Sequence, residues 1–210
     1  MDSVLLIDAV RGVHLLGLAF GLGFAIKADH IAFRFVFRSL KPTELDTLAN
    51  CHKSIWLGLT LFWISGAALL WFRTGLVPGA FSQKLILKLA VVSLLTANAV
   101  FIGRYAMPVI TSWHGARLGE LPFSVRARLG ILGGISAASW ASALTLGVFS
   151  GMKVMDTLRM YEVVGAVYFI GITGAVALAC IAPAILVVQS VLKGQDIDTC
   201  LLYTSDAADD

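Results

Sequence analysis

The sequence predicts an all-α integral membrane protein, a bundle of five transmembrane helices with the amino terminus outside and the carboxyl terminus inside. Three observations carry this expectation. Hydrophobic residues make up 58% and charged residues 14% of the 210 positions, with a mean hydropathy of +0.86, whereas soluble domains are about half apolar and a quarter charged. Five stretches, 10–26, 55–72, 85–102, 129–151 and 163–188, come close to the ~20 apolar residues that a spanning helix needs. Lys and Arg also divide unevenly: ten follow the first, third and fifth stretches, and six lie on the opposite side. Basic residues accumulate on the cytoplasmic face, which sets the orientation.

The first stretch runs into 27–38, where Lys27, Asp29, His30, Arg34 and Arg38 alternate with apolar residues. That pattern predicts a helix continuing into the headgroup region. Asp8 and Arg11 near its start, and the absence of a short apolar core ending in an A-x-A site, keep this segment in the mature protein. Pro42 followed by Glu44 and Asp46 reads as a helix start that runs unbroken into the second span. Pro78-Gly79 marks a short outer turn, Pro108 is expected to end the third span, Gly115 and Pro122 interrupt the inner loop, and Pro183 is expected to kink the last helix without ending it.

A single transmembrane domain over 1–199 is expected. The final residues, 200–210, resemble a translated transposase-type sequencing adapter and are read as non-native. Cys51, Cys180 and Cys200 form no C-x-x-C pair and have no His at metal-site spacing, so neither a disulfide framework nor a zinc site is indicated; Cys180, in an apolar run, reads as a packing residue. The net charge of +3 is scattered between apolar segments, which argues against a nucleic-acid partner. The lipid bilayer is the expected partner.

Small residues indicate where helices meet, because apolar side chains gain nothing by leaving lipid and close backbone approach must supply the attraction. Gly17, Gly21, Ala25, Ala28 and Ala32 line one face of the first helix, Gly130, Gly134 and Ala138 one face of the fourth, and Gly171, Ala175 and Ala179 one face of the fifth. These faces suit packing within the bundle and equally suit a homo-oligomer or another membrane-protein partner.

Ionisable side chains at bilayer depth are functional candidates by default. His14 shares its helix face with Gly17, Gly21 and Ala25, so it points into the bundle. An imidazole there has three uses open to it: ligating a haem iron, relaying a proton, or bonding a neighbouring helix. Lys84 and Lys88 share a face of the third helix, and Lys88 and His14 both fall ~9 Å below the outer surface. With Arg11 and Glu162 they are compatible with an outer polar cluster holding an anion such as a haem propionate. Against this, Lys88 lies opposite the small residues Ala90, Ser93 and Ala97, an arrangement that equally suits snorkelling past lipid. His30 lies about 160° round the helix from His14 and ~24 Å further along, so the two cannot share a ligand. His30 and His52 read as interfacial anchors and His114 as a loop residue; the five tryptophans are ordinary for a membrane protein. No nucleophile elbow, P-loop, dinucleotide fingerprint or H-E-x-x-H motif is present.

The segments from His14 to Gly23, Trp56-Leu-Gly-Leu with Ser65-Gly66, and Phe81-x-x-Lys84 leading to Asn98 resemble a group of uncharacterised bacterial multi-pass inner-membrane proteins, over most of residues 8–110. More loosely, the chain is similar to CopD-like and membrane protoporphyrinogen-oxidase helical bundles. That resemblance implies haem b, with His14 as iron ligand and Lys84 or Lys88 at the matching lysine position. The chain departs from the pattern in its fifth helix, in its charged stretch 27–34, and in lacking an evident second axial ligand. The expected function is a haem-binding or redox-associated protein of the bacterial inner membrane, with enzymatic activity left open. A small-solute transporter or permease component and a structural or assembly subunit are the alternatives.

Overall fold

A computed structural model of the chain describes residues 2–149, 151 and 155–206, with side chains over 4–149, 151 and 155–192. Among these the regular structure is entirely helical: α1 (Asp2–Phe37), α2 (Pro42–Thr74), α3 (Gln83–Phe101), α4 (Met107–Ser112), α5 (Phe123–Val148) and α6 (Thr157–Asp206). One π turn, Ile102–Ala106, fuses α3 and α4 into a continuous rod, so five helical segments are long and apolar enough to cross a membrane. The expected five-helix architecture is therefore the observed one. Lys153 and residues 207–210 lie outside the described residues. Residues 200–206 continue the backbone of α6.

The helices run past the apolar stretches because polar flanks cap them outside the hydrocarbon. Helix α1 does continue through its charged segment to Phe37, and α2 does start at Pro42, where a missing N–H costs nothing. The Lys41 backbone N–H donates to Glu44 Oε2 at 3.0 Å, and Glu44 Oε1 accepts from Arg38 Nη2 at 2.6 Å, closing the tight connection between α1 and α2. Hydrogen bonding to Glu44 raises the Arg38 guanidinium above its ordinary range. At the other end α2 stops on Gly75, left-handed at φ 59°, followed by Leu76 at φ 61°, a conformation that strains a side chain with a Cβ.

Two boundaries differ from expectation. Pro108 does not end the third helix. The π turn before it lets the Met107 N–H reach back five residues to the Ile102 carbonyl, and this widening makes room for the proline ring against the carbonyl four residues earlier. The fourth spanning helix ends at Val148 rather than 151: Phe149 is extended, and its carbonyl accepts from Lys84 Nζ at 3.3 Å. Helix α6 continues through Pro183, as expected.

Helix α1 packs chiefly on α2, α5 on α6, and α3 on α5. The glycine faces explain why. A Cβ on Gly17 would lie 3.0 Å from the Phe62 backbone nitrogen, one on Gly58 2.8 Å from Gly21, and one on Gly134 2.7 Å from the Gly171 carbonyl oxygen. Backbones this close exclude any larger residue. Buried polar bonds then tie neighbours together: Trp63 Nε1 to Thr96 Oγ1 at 3.0 Å, Asn98 Nδ2 to the Leu132 carbonyl at 3.0 Å, and the Ser139 and Tyr168 hydroxyls at 2.8 Å. One apolar cluster, around Leu59, Leu95, Trp140 and Leu146, fills the middle of the bundle toward the α2–α3 turn. A second, around Val36, Leu48, Leu121 and Ala182, closes the opposite end. Cys180 is exposed and is not a packing residue; of the two cysteines whose side chains are described, Cys51 is the buried one, because it falls on the α2 face turned toward the bundle.

Candidate functional site

Two histidines lie against the interior, one toward each end of the bundle. His14, half-buried on α1, sets its ring against Phe62 with centroids 4.0 Å apart and 25° between planes. Its Nδ1 lies 2.9 Å from Ser65 Oγ. The Ser65 hydroxyl donates to the Leu61 carbonyl at 2.6 Å, so its proton is committed and it accepts from His14. Nδ1 therefore carries the hydrogen and Nε2 of the neutral ring keeps its lone pair. Gly66 leaves room for the ring, since a Cβ there would come within 3.3 Å of Cε1.

The basic residues expected around His14 are only partly assembled. Arg11 turns outward and pairs with Asp8 at 2.7 Å, with side chains 48% and 57% exposed, and Glu162 is exposed as well. Lys84 binds the end of α5 through the Phe149 carbonyl. Lys88 is half-buried on the same inward stripe as Leu87, Val91, Leu95 and Asn98. Ala90, Ser93 and Ala97, on the opposite side of α3, are exposed. The reason is the direct bond of Asn98 to α5, which orients α3 by its polar and branched residues instead of its small ones.

At the other end, beside the α1–α2 connection, sequence reasoning missed a cavity of about 330 Å³. All five spanning segments contribute to its wall, which is mostly apolar; its polar groups include Asp29, His52 and Ser136. His52, read from sequence as an interfacial anchor, is half-buried here. Trp56 Nε1 donates to His52 Nε2 at 3.1 Å. An indole nitrogen only donates, so His52 is neutral at Nε2 and carries its hydrogen on Nδ1. Gly103, in the π turn, seats the ring: a Cβ there would fall 2.6 Å from His52 Nε2. The i, i+4 spacing of His52 and Trp56, with Gly103 five residues before Pro108, was the available signal. His30 is exposed, well apart from His14, and His114 sits in the turn after α4 with Nδ1 3.2 Å from the Thr111 carbonyl. Among the described residues no three His, Cys, Asp or Glu side chains gather as a metal site.

No protein-family model, curated protein or solved structure matches this chain.

Proposed function

We propose that this is a haem-associated, redox-linked protein of a bacterial inner membrane, oriented with its amino terminus outside, and that His14 is the iron ligand. The observation that carries this reading is the Nδ1–H bond to Ser65, which leaves Nε2 with the lone pair an axial ligand needs. The fit is partial. Lys88 is suited to hold an anionic propionate near His14, whereas Arg11 is already paired with Asp8. The other histidines, His30, His52 and His114, all lie toward the opposite end, so His14 would be the sole histidine ligand. When bound, haem b would supply one-electron chemistry; the chain's contribution is to fix the ring tautomer, shield it against Phe62 and place a cation beside it.

An absorption spectrum of the full chain in mild detergent tests the reading. A Soret band is expected, lost in His14→Ala, kept in His30→Ala, weakened in Lys88→Ala and little changed in Arg11→Ala. A colourless protein, even after haem is supplied during expression, sinks it. The ten-to-six distribution of Lys and Arg supports the orientation. A reporter phosphatase fused after Lys193 should be inactive in the periplasm, and an active fusion reverses the assignment. The cavity favours a second reading, a small-solute permease component, because π turns and polar groups facing apolar cavities recur where membrane proteins hold substrates.

A further inference from the structure

We propose that the cavity beside the α1–α2 connection binds an apolar organic monocation, with Asp29 as its counter-charge and aromatic side chains against its body. The volume, about 330 Å³, falls in the range of small-molecule sites. Its wall is nearly all aliphatic or aromatic, and Phe33, Phe35 and Trp140 border the space. A carboxylate at the mouth of such a space draws a cation whose apolar body can occupy the interior. Asp29 stands at the rim of this space, exposed on α1 like Lys27 and His30 beside it, and among the described residues it makes no ion pair. His52 cannot neutralise it, because the Trp56 bond holds that imidazole uncharged.

The chemistry of the lining narrows the occupant. An anion would be repelled by the Asp29 carboxylate, and a neutral apolar molecule would gain nothing from it. A bare metal ion would find too few ligands among the described residues. A cation with an apolar body satisfies both parts: one carboxylate for the charge, and the aromatic side chains of Trp140, Phe33 and Phe35 among the lining for apolar contact. Ser136 and the Nδ1–H of His52 add hydrogen-bonding capacity for an amine's substituents. Binding is all this requires; passage across the membrane belongs to the separate permease reading and would be tested by uptake. The site is also independent of His14.

The test uses the full chain in mild detergent and tetraphenylphosphonium as probe, followed by equilibrium dialysis. Saturable binding near one per chain is expected. Asp29→Asn should weaken it roughly tenfold, the cost of removing the charged partner of a bound cation. Gly133 lines the cavity and a Cβ there meets nothing within 4 Å, so Gly133→Leu should fill the space, fold normally and lose binding. Tetraphenylborate, the same shape with opposite charge, should not compete, and His14→Ala should bind as the wild type does. Wild-type binding retained by a folded Asp29→Asn or Gly133→Leu protein overturns the proposal. So does equal competition by tetraphenylborate, or a folded wild-type protein without saturable binding.

Discussion

At the end of the bundle that carries the α2–α3 turn, His14 is pressed against Phe62 and bonded to Ser65; at the opposite end His52 borders a cavity and is held by Trp56 from its own helix. The difference begins in the backbone. Gly17, Gly21 and Gly58 let α1 and α2 approach until their main chains touch, which holds His14 against α2. Further along α1 the small face consists of Ala25, Ala28 and Ala32, and each methyl group holds the neighbouring helix a little further off. The π turn then joins α3 to α4 just where Ile102, Ala106 and Met107 line the same space. Close glycine contact makes a packed ligand-like residue; alanine spacing with a π turn makes a chamber.

The largest expected effect separates two adjacent glycines that this contrast treats oppositely. A Cβ on Gly134 meets the Gly171 carbonyl and Ile172 Cα at 2.7 Å, both backbone atoms that cannot step aside, while one on Gly133 meets nothing within 4 Å. Gly134→Leu should lose about 3 kcal/mol or fail to fold, and Gly133→Leu should elute and melt like the wild type. Thermal melts in detergent decide it, and equal behaviour would mean that packing density does not distinguish the two faces of α5.

A smaller effect compares the histidines. His14→Ala removes an interhelical hydrogen bond and the stacking on Phe62, and should cost about 2 kcal/mol. His52→Ala leaves the Trp56 N–H without its partner but opens space in a chamber already open, and should cost about 1 kcal/mol. A reversed order in denaturant titrations would show His52 to be the more structural of the two. Asn98→Ala, which strands the Leu132 carbonyl between α3 and α5, should fall between them and shift the whole transition, since that bond orients α3 for both ends.

The smallest effect lies at the α2–α3 turn. Leu76 holds φ 61° and is exposed, so Leu76→Gly should relieve strain and raise the melting temperature slightly, by about 1 kcal/mol of stability at most. Because the turn touches neither histidine, spectra and ligand binding should be unchanged.

Hydropathy, proline positions and glycine spacing were enough to read five spans, the start of α2 and the face on which α1 and α5 pack, since each is a local property of one helix in lipid. Local pattern also placed His14 on an inward face. It left the orientation of α3 open between the Lys88 side and the small residues Ala90, Ser93 and Ala97, and the Asn98 bond to α5 accompanies the first. It missed the run of α3 through Pro108, because a π turn arises from how a helix accommodates a proline against its neighbours. The sequence by itself therefore determined the number, extent and packing faces of the helices, which follow from the cost of polar groups in hydrocarbon and the reach of glycine backbones. Tertiary structure alone decided that Lys84 caps α5, and that Asp29, His52 and Ser136, from three different helices, share one cavity. Those outcomes depend on the relative rotation and separation of helices far apart in the chain, which no periodicity within one helix encodes.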